Sequence, residues 1–378
     1  MKVKHMSGQQ PIIIGMLDGL STEYLAQSEM PNLKRMMEEG FQKEVSAIFP
    51  SVTNVNNVSI CCGCFPSEHG ITGNSYFNPE TGGPEYMNSA SMIKADSIFK
   101  RAGRHAVKSA LLTSKRKTTE LLAADCEFSV AAERAPQELI DRFGEPADIY
   151  SREINYWLWT VAIDLLENRP DIGVIYVHTT DYPMHTWAED ADESKEHLLM
   201  MDRLIGKAQA ASPEAAFFFT ADHGMNAKVR NWDLMKVCEE AGLPIRFSLS
   251  PERDYYIKHH KNYAGCAFVW LNDPADYDGV AKIVLGLEGV ESIQTAAEAA
   301  AQFHSIPERL GDMVVHCDKE TTIGDTDTAF EDLGPHYRNH GSLYEMDVPL
   351  AIWNFKGDLP PAHTFTHNKD LTSFLFAD

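Results

Sequence analysis

The chain has 378 residues, which is more than a typical single domain contains and indicates one large body with a smaller insertion. Lys and Arg number 33 against 55 Asp and Glu, so the net charge is −22 at pH 7. This balance disfavours nucleic acid or an anionic membrane as a partner. An anionic substrate would therefore need positive charge from bound metal ions or from a few well-placed lysines.

The cysteines and the N-terminus indicate the cellular compartment. The seven cysteines are odd in number, scattered and mostly set in apolar runs, which is typical of reduced thiols in a core. Cys61, Cys62 and Cys64 lie close together, but no second Cys or His pair at zinc-finger spacing accompanies them, so we interpret them as packing residues. No apolar stretch approaches the roughly 20 residues that span a bilayer, and residues 1–10 lack an apolar core for export. We therefore expect a cytoplasmic protein.

The first predicted strand is the apolar run 11–17, which ends at Asp18-Gly19. A continuous apolar run of this length is typical of a buried strand in a parallel sheet. Ligands bind at the carboxyl edge of such sheets, so Asp18 is a candidate site residue, although Asp-Gly is also a common turn. A helix over 30–40 and a strand over 44–49 are predicted to follow.

Thr53 lies in the segment 49–74, which we expect to be the centre of the protein. The run 58–62 predicts the first turns of a buried helix, which would place Thr53 on the loop before the helix N-terminus. Amide groups and the helix dipole favour an anion there. A threonine in that place is commonly only an N-cap, so the segment alone leaves both roles open. Asn74 falls in the Gly-, Asn- and Pro-rich stretch 70–83, which has the composition of an active-site rim.

Three further strands with intervening helices complete the predicted sheet. We predict strands over 105–112, 171–177 and 215–220, and helices over 97–103, 149–168 and 195–211.

Polar side chains follow each of these strands, as Asp18 follows the first. If the basic segment 113–117 is extended, its two outer lysines face one way. The side chains are Lys115 and Lys117 after the first of the three strands, Asp181 and His185 after the second, and Asp222 and His223 after the third.

From about residue 231 to 335 the chain changes to short strands and helices, which predicts a smaller α+β subdomain that caps the site. We therefore assign the core to 8–230 and 336–378. The core resumes with a segment that contains both His336 and His340, and the latter is preferred as a ligand because Gly-Ser follows it. His259 and His260 are predicted to be surface residues, since nothing else in the sequence supports them.

Carboxylates and imidazoles at several strand ends, with a hydroxyl among them, suit a pair of divalent cations, and Asp and His are good zinc ligands. The predicted ligands are Asp18, Thr53, Asp222 and His223 for one metal, and Asp181, His185 and His340 for the other.

The order of these motifs resembles the alkaline phosphatase superfamily, in its nucleotide pyrophosphatase/phosphodiesterase-like branch, and the resemblance runs from residue 11 to about 353. It implies an α/β fold with a mostly parallel central sheet flanked by helices and a smaller cap. It also implies two zinc ions held as above, Thr53 as the nucleophile and Asn74 as a contact of the phosphoryl oxygens. The motifs are Asp18-Gly19, the loop 49–54, Gly73-Asn74, Asp181 with His185, 222–225 and 340–342.

The strings 114–117, 179–185 and 220–228 are similar to the members of that branch that hydrolyse phosphonoacetate. In those members, two lysines spaced as Lys115 and Lys117 hold the substrate carboxylate. The resemblance implies cleavage of a carbon–phosphorus bond, through a phosphothreonine, to acetate and phosphate. The expected partner is thus this small molecule.

Two alternatives stay open. One is a nucleotide pyrophosphatase or phosphodiesterase with the same two-metal threonine site. Phosphodiesterases of the branch carry Phe-Pro-Asn-His after the threonine, whereas residues 54–57 read Asn-Val-Asn-Asn here, which disfavours nucleotide substrates. The other is a metal-binding protein without activity, which would require a missing ligand or nucleophile, and none is missing. The oligomeric state is also open, with a homodimer among the candidates.

Overall fold

The structure is a computed structural model and describes residues 10–377. Most of the segment 1–10, which lacks an apolar core for export, lies outside the described residues. So do residues 8 and 9 of the predicted core and the last residue, Asp378.

The strands form one large sheet and several small ones. In chain order they are β1 (Ile12–Met16), β2 (Phe41–Ser46), β3 (Ser75–Asn78), β4 (Gly83–Tyr86), β5 (Lys108–Thr113), β6 (Phe128–Ala131), β7 (Ile172–His178), β8 (Ala216–Thr220), β9 (Asn226–Ala227), β10 (Arg230–Trp232), β11 (Phe247–Leu249), β12 (Cys266–Trp270), β13 (Val290–Thr295), β14 (Met313–Cys317), β15 (Thr321–Ile323), β16 (Phe330–Asp332), β17 (Arg338–Asn339) and β18 (Asp347–Trp353).

Helices connect most of these strands. In chain order they are α1 (Thr22–Gln27), α2 (Pro31–Glu39), α3 (Thr53–Cys62), α4 (Pro66–His69), α5 (Ile98–Arg104), α6 (Arg116–Leu122), α7 (Gln137–Phe143), α8 (Glu153–Asn168), α9 (Tyr182–Thr186), α10 (Asp192–Ala211), α11 (Leu234–Glu240), α12 (Tyr277–Leu285), α13 (Ala296–Phe303) and α14 (Asp370–Ser373).

The central sheet has seven strands in the order β2-β18-β8-β1-β7-β5-β6. Strand β18 is antiparallel to both of its neighbours, β2 and β8. The other neighbouring strands are paired in parallel. The predicted α/β fold with a mostly parallel central sheet is therefore confirmed.

The centre of this sheet is buried on both faces. Every residue of β1 is buried, which agrees with its unbroken apolar sequence. Trp159 of α8 stacks on Phe219 of β8 with ring centroids 6.3 Å apart, and Phe217 lies in the same apolar cluster. Burial of apolar side chains on both faces fixes the strand positions, and with them the positions of the strand ends.

Several predicted boundaries are wrong. The helix predicted over 149–168 is Glu153–Asn168, the helix predicted over 195–211 is Asp192–Ala211, and the strand predicted over 105–112 is Lys108–Thr113.

Two further differences lie beside Thr53. Strand β2 spans 41–46 rather than 44–49, because it pairs residue by residue with β18, from Phe41 opposite Ile352 to Ser46 opposite Asp347. Gln42 and Glu44 of this strand are exposed and Val45 is buried, and the apolar stretch 47–49 that follows lies outside the strand. Helix α3 begins at Thr53 itself, earlier than the apolar run over 58–62 indicates.

Between β8 and β18 the chain forms a second layer. A four-stranded sheet of order β11-β12-β14-β13 has its own apolar cluster, which includes Val269, Val280 and Val315. The assignment of 231–335 to a subdomain of its own stays a prediction. Phe49, on the loop before α3, packs with Phe268 of this sheet, so the second layer lies directly against the Thr53 segment.

Within residues 10–377, none of the helices combines the length and the apolar character that crossing a bilayer requires. All seven cysteines lie in this range, none is in a disulfide, and five of them are buried.

Candidate active site

The order of the strands explains why distant polar residues meet. Strands β8, β1, β7 and β5 are consecutive neighbours and run in parallel, so their carboxyl ends form one edge. Asp222, Asp18, Asp181 and Lys115 follow these strands in the same spatial order. This edge is where open α/β sheets bind ligands.

The antiparallel strand β18 adds a residue to the same edge from its other end. Because β18 is antiparallel to β8, the amino end of β18 lies beside the carboxyl ends of the parallel strands. His340 precedes β18 and reaches the site from that direction. Gly341, which follows His340, has a φ of 96° and no room for a Cβ, which would lie 2.7 Å from Cβ of Ala264.

Thr53 is the first residue of α3, and Val52 is the extended residue that precedes the helix. The N-cap interpretation of Thr53 is therefore wrong. Asn56 fixes the loop before the helix, because its side chain accepts from the amide of Ile48 at 2.7 Å and donates to the carbonyl oxygen of Ile48 at 3.0 Å. Asn57 accepts from the hydroxyl of Tyr176 at 2.8 Å. Asn56 and Asn57, two of the residues that depart from the phosphodiesterase pattern, thus position the loop and helix that carry Thr53.

The first group of potential metal ligands contains Thr53, Asp18, Asp222 and His223. The Nε2 atom of His223 lies 3.2 Å from Oγ1 of Thr53, 3.3 Å from Oδ2 of Asp222 and 3.6 Å from Oδ1 of Asp18. Gly19 donates its amide to Oδ1 of Asp222 at 3.1 Å, which orients that carboxylate. The ligand atoms of the two aspartates and the histidine lie within 4.8 Å of one another, close enough to share one cation.

The second group contains Asp181, His185 and His340. The Oδ2 atom of Asp181 lies 2.8 Å from Nε2 of His185 and 3.7 Å from Nε2 of His340. Their ligand atoms also lie within 4.8 Å of one another, and all three residues are buried. His336, the alternative to His340, is exposed to solvent.

Hydrogen bonds fix the tautomers of the three imidazoles. A carbonyl oxygen can only accept, so an Nδ1 atom that contacts one carries the proton and leaves a lone pair on Nε2. Metal-bound histidines commonly make this contact with their second nitrogen. The Nδ1 atoms of His185, His223 and His340 donate to the carbonyl oxygens of Arg338, Gly224 and Ser51 at 2.8, 2.9 and 2.8 Å.

Three buried aspartates, Asp18, Asp181 and Asp222, share the site with the ammonium group of Lys115, so a bound cation would balance the remaining negative charge. Burial, together with the charges of Asp181 and Asp222, raises the pKa of Asp18 well above its usual range. Several buried ligand atoms have no hydrogen-bond partner among residues 10–377, and lone pairs of imidazole and carboxylate face each other there without a proton donor between them. These donor sets therefore fit Zn²⁺. The unpartnered atoms are Oδ1 of Asp18, Oδ1 of Asp181, Oδ2 of Asp222 and Nε2 of His340.

His178 holds the carboxylate of Asp18 in place through a hydrogen bond. It is fully buried and donates from Nε2 to Oδ2 of Asp18 at 3.2 Å, and its Nδ1 accepts from the hydroxyl of Thr113 at 3.0 Å. Burial holds the pKa of His178 well below its usual range, so this imidazole stays neutral.

Lys115 and Lys117 both point into the site, although the segment is not extended. Helix α6 begins at Arg116, so Lys117 lies in its first turn. The Nζ atom of Lys115 lies 3.6 Å from Asp181 and 3.9 Å from Asp18. The Nζ atom of Lys117 donates to Oδ2 of Asp254 at 2.6 Å. The two lysines, Thr53 and Asn74 line one small cavity.

Asn74 borders this cavity and is held by the segment that follows β11. Its amide donates to the carbonyl oxygen of Pro251 at 2.8 Å, and its side chain donates to Oε2 of Glu252 at 3.2 Å. The rim prediction placed Asn74 on a surface loop, whereas only 5% of it is exposed.

The sequence did not predict the contribution of the segment 250–262. Glu252, Asp254, His259 and His260 all face the site from it, and the side chains of the two histidines are only 3% and 5% exposed. The prediction that these histidines lie on the surface is wrong. Burial and the charges of Asp181 and Asp254 raise the pKa of Glu252 to about 8. In the sequence, the only sign of a role for this segment is its pair of consecutive histidines. Their spacing from Asp181 follows no known ligand pattern.

A buried ion pair joins the two loops that carry His223 and His340. The Nζ atom of Lys228 donates to Oε1 of Glu345 at 2.9 Å, and neither side chain is exposed. Glu345 also accepts from the side chain of Asn226 at 2.6 Å and from the amide of Ser342 at 2.8 Å. The pair therefore fixes the relative positions of both loops.

Replacing Lys228 with Met is expected to lower the free energy of unfolding by about 3–5 kcal/mol, because Glu345 would keep a buried charge without its partner. The double variant Lys228→Met with Glu345→Met removes both charges and should recover most of this loss. Urea unfolding followed by circular dichroism measures both. A single variant as stable as the parent protein would show that the pair does not hold the loops.

Comparisons with known proteins agree with this geometry. The model of the family described as type I phosphodiesterase/nucleotide pyrophosphatase matches residues 12–342. A relative from Schizosaccharomyces pombe, an uncharacterized pyrophosphatase/phosphodiesterase, is 25% identical over 232 residues, which cover 57% of this chain and 45% of the relative. The chain thus spans less than half the length of that relative.

The protein is similar to two solved structures over almost its whole length. The phosphonoacetate hydrolase of Sinorhizobium meliloti in complex with phosphonoformate superposes with a TM-score of 0.86 at 27% identity, covering 97% of this chain and 95% of that one. The same hydrolase in complex with phosphonoacetate gives a TM-score of 0.84 at 26% identity, with the same coverage. The predicted alkaline-phosphatase-like fold and the predicted relationship to this branch are confirmed. Because the family model covers most of its length, the chain belongs to the type I phosphodiesterase/nucleotide pyrophosphatase family.

Proposed function

We propose that the protein is a two-zinc hydrolase that cleaves the carbon–phosphorus bond of phosphonoacetate to give acetate and phosphate. The observation that carries this proposal is the position of two buried lysines, Lys115 and Lys117, on the same cavity as Thr53. A threonine beside two metal-ligand groups would serve any phosphoryl transfer. The lysines add a place for a leaving group that carries a carboxylate. The resemblance to phosphonoacetate hydrolase over 97% of the chain supports the same choice.

Two groups of side chains would hold the zinc ions, as their free Nε2 lone pairs and unpartnered carboxylate oxygens favour. When bound, the ions supply positive charge that balances the phosphoryl oxygens and makes a hydroxyl more acidic. The first ion would take Asp18, Thr53, Asp222 and His223, and the second would take Asp181, His185 and His340.

Thr53 is the nucleophile in this proposal. Its Oγ1 loses the hydroxyl proton to solvent and forms a bond to phosphorus while the carbon–phosphorus bond breaks, and the electron pair of that bond passes to the carbon of the leaving group. Water then attacks the phosphothreonine, the bond between Oγ1 and phosphorus breaks, and phosphate leaves. The oxygen regains a proton from water when the phosphothreonine is hydrolysed. Asn74 and the unpartnered side-chain amide of Asn54, both on the cavity, would donate to the phosphoryl oxygens. Overall, phosphonoacetate and one water give acetate and phosphate.

The two lysines are needed in this proposal because acetate leaves as a carbanion. A carbanion next to a carboxylate is tolerable only when its charge spreads into that carboxylate, which then carries two negative charges. Lys115 and Lys117 would stabilise this growing charge more than they stabilise the bound substrate, which is what accelerates the step. Protonation at carbon, with water as the proton source, completes acetate.

Replacing Lys115 or Lys117 with Ala is expected to lower kcat/KM for phosphonoacetate by about 100-fold, because each loses a charge that faces the leaving group. Lys356→Ala, at an exposed position, is the matched control and should leave the rate unchanged. Phosphate release measures the effect. An aryl phosphodiester, which has no carboxylate, should be hydrolysed by the lysine variants at nearly the parent rate. Parent-level phosphonoacetate turnover in both variants would contradict the carboxylate site.

A phosphodiesterase or nucleotide pyrophosphatase is the second candidate, and the family match over residues 12–342 favours it. It would use Thr53 and the same two ions. This candidate predicts fast turnover of aryl phosphodiesters or dinucleotides, with little phosphate from phosphonoacetate. Side-by-side assays of the zinc-loaded protein on both substrates distinguish the two candidates.

A further inference from the structure

A carboxylate of the protein itself already occupies Lys117. The Nζ atom of this lysine donates to Oδ2 of Asp254 at 2.6 Å, and the two side chains are 5% and 4% exposed. Both residues line the cavity that Thr53 borders. The ammonium group of Lys115, in contrast, lies beside aspartates of the zinc groups. The ion pair therefore lies in the place where the proposed function puts the carboxylate of the substrate.

Asp254 is held in this position by its own segment of the chain. Its Oδ1 atom accepts from the amide of Tyr256 at 3.0 Å, and its own amide donates to Oδ1 of Asn262 at 3.1 Å. The hydroxyl of Tyr256 donates to Glu133, which holds the segment across the cavity. None of these bonds involves Lys117, so the carboxylate of Asp254 keeps a partner when it loses the ammonium group.

The cavity has no room for a second carboxylate beside Asp254. Its volume is about 20 Å³, which holds little more than one water molecule. Lys117 carries one positive charge, which Asp254 balances, and a second buried carboxylate at the same ammonium group would be repelled by the first. The carboxylate of a substrate therefore reaches Lys117 by taking the place of Asp254.

We propose that Asp254 is an internal competitor of the substrate carboxylate, and that the two exchange at Lys117 in every catalytic cycle. This inference rests on the proposed function, which assigns Lys117 to that carboxylate. Acetate and Asp254 present the same chemical group with the same charge, but only Asp254 is tethered beside the lysine, which gives it a high effective concentration there. The return of Asp254 to Lys117 therefore promotes the release of acetate.

The exchange affects affinity more than the rate of the chemical step. Displacing Asp254 from Lys117 costs the same free energy for the substrate, the transition state and the product. A contribution that is equal in the ground state and the transition state changes KM and leaves kcat almost unaltered. Asp254 thus sets the affinity for ligands that carry a carboxylate, and it does so through Lys117.

Steady-state kinetics of the zinc-loaded protein test the exchange. Asp254→Asn keeps the size of the side chain and removes its charge. We expect it to lower KM for phosphonoacetate and the inhibition constant of acetate by about 10-fold each, because one charged hydrogen bond no longer has to be broken. The value of kcat should change less than KM. Inhibition by inorganic phosphate, which has no carboxylate, should stay close to that of the parent, and Asp358→Asn, at an exposed position, is the matched control.

Two further measurements keep the test independent of that variant. In a Lys117→Ala background, Asp254→Asn should change neither constant, because the lysine for which Asp254 competes is gone. A crystal structure of the zinc-loaded parent protein with acetate covers the case in which Asp254→Asn does not fold. We expect the carboxylate of acetate on Nζ of Lys117, with Oδ2 of Asp254 outside hydrogen-bond distance.

Two results would overturn the exchange. One is a folded Asp254→Asn variant in which KM and the acetate inhibition constant equal or exceed those of the parent, which would mean that Asp254 only positions Lys117. The other is an intact ion pair between these residues at saturating acetate. Phosphate release by the parent judges the proposed function separately. If that activity is absent, titration calorimetry with phosphonoacetate replaces the kinetics. Tighter binding by Asp254→Asn would then support the exchange and contradict only the reaction, whereas unchanged binding would contradict both.

Discussion

Replacing Thr53 with Ala is expected to reduce phosphate release from phosphonoacetate by about 10,000-fold or more, because the substitution removes the oxygen that bonds to phosphorus in the proposed mechanism. The side chain lies at the start of α3, and its Oγ1 atom lies 3.2 Å from Nε2 of His223. Folding should be unaffected. Steady-state phosphate release from zinc-loaded protein measures the effect.

Thr53→Ser is the matched control for this variant. It retains the hydroxyl and should keep activity within about 100-fold of the parent, since only a methyl group is lost. After a brief incubation with substrate, the parent and the Ser variant should carry phosphate on residue 53, which mass spectrometry detects. Unchanged turnover in Thr53→Ala would mean that water attacks phosphorus directly, and the covalent route would then be wrong.

Removing the metal ions is expected to abolish activity and to destabilise the protein. Without cations, Asp18, Asp181 and Asp222 remain together in a buried place, where like charges repel and desolvation is costly. A ligand at a hundredfold excess over its Kd stabilises the folded state by about 2.7 kcal/mol per site. Treatment with a chelator should therefore lower Tm by several degrees.

Adding Zn²⁺ back to the chelated protein should restore both Tm and phosphate release, whereas Mg²⁺ should restore neither, because its preferred ligands are oxygens in an octahedron. Thermal unfolding and phosphate assays on the same sample measure the two effects. Full activity after exhaustive chelation would contradict the metal-dependent mechanism.

The sequence predicted the residues at the ends of parallel strands because local patterns determine them. An apolar run that stops at Asp18, Asp181 or Asp222 places that side chain at the carboxyl edge, wherever the strand lies in the sheet. The same logic predicted Lys115. These residues needed no knowledge of long-range contacts, and the order of strands β8, β1, β7 and β5 then brought them together.

The residues that the sequence did not predict reach the site through tertiary contacts. His259 and His260 follow no predicted strand, and their burial depends on how the second layer packs against the loop near Phe49 that precedes Thr53. Glu252 faces the site because it accepts a hydrogen bond from Asn74, which is far away in the chain. Long-range packing of this kind leaves no periodic pattern in the sequence.

Asp254 changes the interpretation of the lysine pair. The sequence indicated two free positive charges, whereas the structure pairs Lys117 with Asp254 at 2.6 Å and places Lys115 beside Asp18 and Asp181. Cations bound by the aspartates would leave the Lys115 charge available to a substrate. The strength of the carboxylate site therefore depends on metal loading, so the effect of Lys115→Ala should be measured on the zinc-loaded protein.

The most direct test of the central claim is to follow the products formed from phosphonoacetate by the zinc-loaded parent protein, using nuclear magnetic resonance of both carbon and phosphorus. We predict that acetate and phosphate appear together in equal amounts, and that Thr53→Ala and the chelated protein form neither. Absence of acetate from a zinc-loaded protein that hydrolyses aryl phosphodiesters would contradict the account and favour the phosphodiesterase alternative.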